Sequence, residues 1–172
     1  MGSEMCIRDS TEPSGFDCGV IHGKIAYLAH PVFSLYRTYG AVAYRSYVAK
    51  VIDRLLGPAA TLKTNLPSTA RVSLNYQAAE RRYILHLLYA NTISRGGSMN
   101  LSGGTVSASG LTIQVIEDLL PLHDISITLA NLPWISRVTL EPQGQEAEFI
   151  QKEGAIHLQL DGFTCHQMIV LQ

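Results

Sequence analysis

The chain has 172 residues, of which 47% are hydrophobic and only 16% are charged, and its 13 basic and 14 acidic residues give a formal net charge of −1. This composition predicts a folded chain with a sizeable core and argues against intrinsic disorder. The near-neutral balance of charges also argues against a nucleic-acid-binding protein, which needs a basic face. The sequence contains no apolar run of 18 residues, so we expect no membrane span.

The first ten residues resemble the translation of a transposase-type sequencing-library adapter, with residues 4–10 following the adapter codon by codon. We therefore expect residues 1–10 to be an artefact and the chain to be a C-terminal fragment; an ordinary flexible N-terminus is the alternative. Cys6, Cys18 and Cys165 show neither a disulfide framework nor zinc-site spacing. The missing framework slightly favours the cytoplasm, but the compartment of the intact protein stays open.

A short apolar run and a long helical stretch come next. Residues 24–29 are almost continuously apolar, which is typical of a strand buried on both faces in a parallel sheet. Residues 34–56 predict one long helix with Ser34 as its N-cap, and Gly57 with the proline after it predicts the stop. One strand and one helix cannot close a core, so residues 11–57 are interpreted as the last β-α piece of a larger α/β domain. The apolar residues that recur at helical spacing are Leu35, Tyr39, Val42, Val48, Val51, Ile52 and Leu55.

After this stop the hydrophobic period changes from 3.6 to 2. Residues 71–77 alternate strictly, and residues 82–89 predict a more buried strand. The Gly- and Ser-rich residues 94–110 predict a mobile loop. With turn signals every 8–12 residues, these strands predict an antiparallel β-sandwich over residues 58–172. Further strands are predicted at residues 124–130, 137–140, 146–150, 155–160 and 167–171.

The six histidines form no metal-binding motif with one another or with the cysteines. His86 lies inside an apolar strand, where a hydrogen-bonded core histidine is a commoner explanation than a metal ligand. His157 is expected to point outward into solvent. A polar group within eight residues could bind a cation or shuttle protons, although a polar loop bonded to its own turns is the favoured explanation. That group consists of Glu117, Asp118, His123 and Asp124.

Catalytic arrangements are also weak. Cys165 and His166 adjoin in sequence, but neighbouring side chains diverge in a strand, so Cys165 is expected to be inert. Glu146 and Glu148 share one face of a predicted strand, the kind of pairing that a glycosidase needs, yet a hairpin edge offers no pocket. The sequence contains no Gly-x-Ser-x-Gly elbow, and its glycine pairs do not open a helix after a strand. We therefore predict no catalytic, cofactor-binding or metal-binding residue.

The long helix carries more aromatic and basic side chains than one buried face requires. Tyr and Arg are enriched at protein–protein contacts, although an ordinary amphipathic helix is an equally good explanation. A second candidate surface is a sugar contact, at Trp134 on a predicted loop tip or at Phe163. The candidate subunit or domain interface residues are His30, Phe33, Tyr36, Arg37, Tyr44, Arg45 and Tyr47.

Six motifs spread along the chain point to a family. They are Tyr27-Leu-Ala-His-Pro-Val-Phe-Ser-Leu-Tyr36, Tyr44-Arg-Ser-Tyr47, Leu66-Pro-Ser-Thr-Ala-Arg-Val-Ser-Leu74, Arg82-Tyr-Ile-Leu-His-Leu-Leu88, Val115-Ile-Glu-Asp-Leu-Leu-Pro-Leu-His-Asp124 and Gly162-Phe-Thr-Cys-His-Gln-Met-Ile-Val170. Together they resemble the C-terminal part of large bacterial glycoside-hydrolase-like proteins with a β-galactosidase trimerisation domain. The resemblance covers essentially everything after Val20.

The resemblance implies a three-part intact protein. An N-terminal (β/α)8 barrel carries two catalytic carboxylates, and a flavodoxin-like domain, similar to class I glutamine amidotransferases, serves assembly. A small β-sandwich ends the chain. Residues 21–56 match only the last strand and helix of the middle domain, and residues 57–172 match the sandwich. The barrel is absent, so no catalytic residue can be assigned, and residues 94–110 look longer than the family's usual link.

The expected fold class is therefore an α+β fragment, the terminal β-α piece of a flavodoxin-like domain followed by an antiparallel β-sandwich. The leading functional hypothesis is a non-catalytic assembly segment of a carbohydrate-active enzyme. Its expected partners are its own N-terminal catalytic domain and other copies in a homotrimer, with no cofactor, nucleic acid or membrane span. A free-standing carbohydrate-binding or protein-interaction sandwich is the alternative. An independent hydrolase fits worst, because no nucleophile–base–orienter set is visible.

Overall fold

The computed structural model describes residues 18–96, 100–101, 104–105 and 113–172, so the predicted adapter segment lies outside the described residues. It shows an α+β chain, mostly antiparallel sheet with two helices. The chain folds into two compact units, of which the first ends at Ala60 and the second is Thr61–Gln172. The sequence analysis instead predicts the division after Gly57. Among the described residues, no helix combines the length and apolar character needed to cross a bilayer.

The first unit begins with a β-hairpin. Strands β1 (Gly19–His22) and β2 (Ile25–Leu28) pair antiparallel across a tight turn. Gly23 takes a φ of 58° in that turn, which costs a glycine little. The prediction of a strand buried on both faces in a parallel sheet is therefore wrong here, since β2 pairs with its sequence neighbour and Ile25 is 72% exposed. An apolar run indicates a strand but does not tell what covers it.

Two helices follow the hairpin where the sequence predicts one. Helix α1 (Val32–Tyr39) ends at Gly40, whose φ of 65° is left-handed and whose N–H donates to the Tyr36 carbonyl at 2.8 Å. Ala41 is extended, and helix α2 (Val42–Leu56) begins after it. The predicted continuous helix is thus wrong at one point. A glycine that can close a helix with a left-handed cap competes with helix propagation, and here the cap wins.

The start of α1 also differs from the prediction. Pro31 occupies the N-cap position with a φ of −75°, and no side chain caps the helix. Ser34, predicted as the N-cap, lies inside α1 instead. Proline needs no partner for the N–H it lacks, so the chain can enter the helix directly from it. At its other end α2 runs into a 3₁₀ turn, Gly57–Ala59.

The second unit is built from strands that pair antiparallel wherever the structure describes them. One sheet has the order β13-β14-β10-β3, and the other has the order β4-β5-β14-β11-β12. Two small ribbons, β6-β9 and β7-β8, complete the pairing. The strands are β3 (Leu62–Thr64), β4 (Arg71–Gln77), β5 (Arg82–Tyr89), β6 (Ile93–Arg95), β7 (Asn100–Leu101), β8 (Gly104–Thr105), β9 (Ile113–Val115), β10 (Pro121–Ala130), β11 (Val138–Glu141), β12 (Gln145–Glu146), β13 (Phe149–Lys152) and β14 (Ala155–Leu171).

Strands β4 and β5 have the predicted bounds, and β10 begins at Pro121 rather than at residue 124. The predicted strand 146–150 is wrong, because β12 and β13 are separate strands. The predicted loop 94–110 is wrong where the structure describes it, since parts of it belong to β6, β7 and β8. Its remaining residues lie outside the described part.

Strand β14 belongs to both sheets. Its first part pairs with β10 and its last part pairs with β5, so the two predicted strands 155–160 and 167–171 are one. At the change-over, Leu160 and Phe163 are both buried, which breaks the strict alternation of the strand. Gly162 makes this possible because its Cα lies against the Leu122 carbonyl oxygen, where no Cβ would fit. A strand that switches sheets at such a bend makes the corner of a sandwich.

The core of the second unit lies between the two sheets. Leu85 and Leu87 from β5 are fully buried, as are Leu129 from β10 and Ile169 from β14. Side chains from both sheets pack in one cluster, as in a β-sandwich. The structure therefore supports the sandwich-like part of the predicted fold class.

Candidate interaction surface

Side chains of α1 and α2 line an open apolar groove of about 310 Å³. Val32 is the one fully buried residue of α1, and no residue of α2 is fully buried. Phe33 is 70% exposed and Tyr36 is 40% exposed. Such a concentration of exposed aromatic and aliphatic side chains is typical of a surface that another protein covers. The groove is lined by Val32, Phe33, Tyr36, Tyr44, Arg45, Val48, Ala49 and Ile52.

The structure brings together four of the seven predicted interface residues in this groove, namely Phe33, Tyr36, Tyr44 and Arg45. His30 lies outside it, in a neighbouring depression of about 320 Å³ that Phe33 also borders. Arg37 is in the last turn of α1, where a cation interacts favourably with the helix dipole. Arg37 is exposed and lines neither cavity.

Tyr47, the seventh candidate, faces the hairpin of the first unit. Its hydroxyl is 4.0 Å from the Cys18 sulfur and lies over Gly19, where an added Cβ would come within 2.5 Å of the hydroxyl oxygen. Burial disfavours the phenolate and raises the pKa of Tyr47 above its usual value, and the hydrogen bond with Cys18 raises it further. Tyr47 therefore contacts the hairpin from α2 and does not line the groove.

Some of the apolar residues that recur at helical spacing extend the exposed surface. Tyr39 is 71% exposed, Val42 is 57% exposed and Ile52 is 48% exposed. Helical spacing finds the apolar face of a helix, but it does not show whether that face is covered. The exposed apolar residues of the hairpin, which the sequence analysis missed as surface, are Val20, Ile21, Ile25 and Tyr27.

The two candidate sugar contacts in the second unit have opposite environments. Trp134 is 77% exposed, as the loop-tip prediction requires. Phe163 is 8% exposed and packs in the core cluster, so the prediction of Phe163 as an exposed sugar contact is wrong. The break in alternation at Gly162 turns Phe163 inward.

Members of the predicted polar group bond to neighbouring protein groups. The Glu117 carboxylate accepts two hydrogen bonds from the Arg95 guanidinium, each of 2.5 Å, and this contact raises the pKa of Arg95. The Asp124 carbonyl accepts a hydrogen bond from the Asn65 amide. In the part of the chain that the structure describes, no three His, Cys, Asp or Glu side chains are arranged to hold a metal ion. The polar-loop explanation fits these contacts.

The other singled-out polar residues make local contacts. His157 is exposed, and its Nδ1 is 3.2 Å from the Thr128 hydroxyl. Glu146 accepts a hydrogen bond of 2.9 Å from Arg137. Glu148 lies between β12 and β13, so a carboxylate pair on one strand face is not formed. Cys165 is half-buried with a φ of 65°.

His86 has a partner that the sequence analysis missed. Its Nδ1 lies 3.0 Å from Nε2 of His166, and the two rings stack with centroids 5.3 Å apart and planes 17° apart. His86 is half-buried, so it is hydrogen-bonded as expected, but its position is not in the core. The two residues lie 80 positions apart in the chain, and short-range motifs cannot find such a pair.

The chain is similar in structure to a segment of a larger glycoside hydrolase. One solved structure with this similarity is the alpha-L-fucosidase isoenzyme 2 from Paenibacillus thiaminolyticus, with a TM-score of 0.81 and 35% sequence identity over 94% of this chain. The chain spans only 23% of that fucosidase's length. No family model and no curated protein matches the sequence.

Proposed function

We propose that the chain is a non-catalytic assembly and stabilising segment of a glycoside hydrolase. The groove between α1 and α2 is the observation that carries this proposal, because its aromatic walls and Arg45 have the composition of protein–protein contacts. The similarity to less than a quarter of a fucosidase supports it, since most of that enzyme has no counterpart here.

In this proposal the groove is covered by another copy of the same polypeptide. The first unit then corresponds to the end of a trimerisation domain, with His30 and Arg37 on the rim of the contact. Phe33 is 70% exposed, so covering it removes roughly 140 Å² from water and contributes up to about 3.5 kcal/mol. Only part of that energy appears as affinity, because association also has entropic costs.

Sedimentation velocity of the 172-residue chain over a range of concentrations tests the assembly role. We expect self-association that Phe33→Ser weakens by about tenfold to a hundredfold. Ile150→Ser is the matched control, because Ile150 is 67% exposed but belongs to the second unit. A monomer at every concentration, or equal weakening by both substitutions, would contradict the proposal.

We also propose that the parent enzyme acts on α-L-fucosides, as the name of its structural relative suggests. Comparing the full-length gene product on an aryl α-L-fucoside and an aryl β-D-galactoside tests this substrate class. Preferential hydrolysis of the galactoside would instead favour the β-galactosidase-like parent.

A carbohydrate-binding module is the second candidate function, and the exposure of Trp134 favours it. Aromatic rings at loop tips can stack on the apolar face of a sugar. Trp134 is the single tryptophan of the chain, so its fluorescence reports this site alone. An emission shift with fucose-containing oligosaccharides would support sugar binding, and an unchanged spectrum across the panel would reject it.

A further inference from the structure

Two imidazoles meet on the outer face of the sheet that contains β5 and β14. His86 lies opposite Met168 and His166 lies opposite Leu88, so the two histidines are diagonal neighbours on one face. The alternate positions of β5, Leu85 and Leu87, are fully buried in the core. The histidine pair therefore points away from the core, and its facing ring nitrogens are 3.0 Å apart.

We propose that His86 and His166 form a binding site for a divalent transition-metal ion. Imidazole nitrogens bind zinc at about 2.0–2.1 Å, and first-row neighbours such as nickel and copper also accept imidazole. Two such bonds place the nitrogens about 2.9 Å apart at a right angle and about 3.3 Å apart at the tetrahedral angle. The observed 3.0 Å lies within that range, so the two nitrogens are already at the separation that chelation of one ion requires.

The hydrogen bond between the rings does not block this chemistry. A neutral imidazole has one N–H, and the tautomer decides which nitrogen carries it. When the proton of the donor ring moves to its outer nitrogen, His86 Nδ1 and His166 Nε2 both present lone pairs. Two neutral rings then bind the ion without losing a proton, whereas acid weakens binding by protonating them.

The remaining coordination positions belong to water or to a further ligand. Among the described residues, no third His, Cys, Asp or Glu joins the pair. His166 is exposed, so an ion can enter and leave from solvent. We therefore expect an exchangeable site, selective for nickel, copper and zinc over magnesium and calcium, which prefer oxygen ligands.

Binding at this site would also tie together strands that are distant in the chain. The two ligands are 80 residues apart, so the unfolded chain does not hold them at chelating distance. An ion that binds the folded state preferentially raises the midpoint of thermal unfolding.

Titration calorimetry of the full 172-residue chain with NiCl2 tests the proposal, alongside thermal unfolding with and without the metal. We expect His166→Gln and His86→Gln each to weaken nickel binding at least tenfold and to abolish the metal-induced rise in Tm. His157→Gln is the matched control, because His157 is an exposed histidine of the same strand outside the pair. It should change the affinity less than twofold.

Equal nickel affinity in the wild type and in His166→Gln would overturn the proposal, as would equal weakening by His157→Gln. His166 is exposed, so its substitution tests the site even if the half-buried His86 is needed for folding. If the cysteines bind nickel instead, both histidine variants will retain nickel binding. That result would also reject the histidine pair as the site.

Discussion

Replacing Gly162 with alanine tests the close approach of β10 and β14 at the bend. A Cβ at this position would meet the Leu122 carbonyl oxygen at less than any ordinary contact distance and would lie 3.1 Å from His123 Nδ1. The imidazole can rotate away, but a backbone carbonyl inside a ladder cannot. The strand β10 must therefore shift, or its pairing with β14 must open locally.

The cost follows from these contacts. Overpacking a well-packed site costs about 1–3 kcal/mol, and each ladder hydrogen bond that opens adds about 1 kcal/mol. The alanine also reduces the conformational entropy of the unfolded chain, which offsets about 0.4–1 kcal/mol of this destabilisation. We expect Gly162→Ala to lower the free energy of unfolding by about 2–3 kcal/mol, measured by urea denaturation followed by circular dichroism.

Gly154→Ala is the reference substitution. Gly154 has a φ of 77° in the turn between β13 and β14, and nothing lies within 4 Å of its added Cβ. It should cost only the strain of a left-handed alanine, about 1–2 kcal/mol. If Gly162→Ala destabilises no more than Gly154→Ala, the two strands do not approach each other as closely as described.

Further predictions concern the core, a phenol and the loop tryptophan. Leu85→Ala should lower the free energy of unfolding in urea by about 2–5 kcal/mol, because Leu85 is fully buried, whereas Leu88→Ala on the open face of the same strand should cost less than about 1.5 kcal/mol. Tyr47 should ionise above the usual tyrosine pKa in an ultraviolet titration, and Cys18→Ala should remove part of that rise. Because the folded state favours the neutral phenol, the stability that Tyr47 contributes is present at neutral pH and is lost as pH rises through its raised pKa. Trp134 should be quenched by acrylamide almost as readily as a free indole, and protection from quenching would show that its 77% exposure is wrong.

Strands with a buried and an open face were predictable from the sequence. In β4, Val72 and Leu74 alternate with exposed Arg71 and Ser73, so the side-chain period alone defines the strand. Strand β5 is more apolar, but charged and turn residues mark its start. These local signals fix where a strand lies because each residue's face follows from its neighbours.

Features that depend on distant partners were not predictable in this way. The continuity of β14 depends on Gly162 fitting against β10, and the division of the helix depends on Gly40 taking a left-handed cap. Nothing in the local sequence distinguishes either glycine from a glycine in an ordinary loop. The pairing of His86 with His166 likewise depends on the register between β5 and β14, which the local pattern of either strand leaves open.

The shared strand β14 has a consequence for how the second unit comes apart. Its residues are hydrogen-bonded to β13, β10, β5 and β11, so each sheet loses a member if β14 leaves the other. In a sandwich of two independent sheets, one sheet could unfold while the other stayed folded. Here β14 belongs to both sheets, so neither sheet can unfold without disrupting the other. Denaturation of Thr61–Gln172 should therefore be all-or-none, with equal calorimetric and van't Hoff enthalpies and with the slowest-exchanging amides present in both layers.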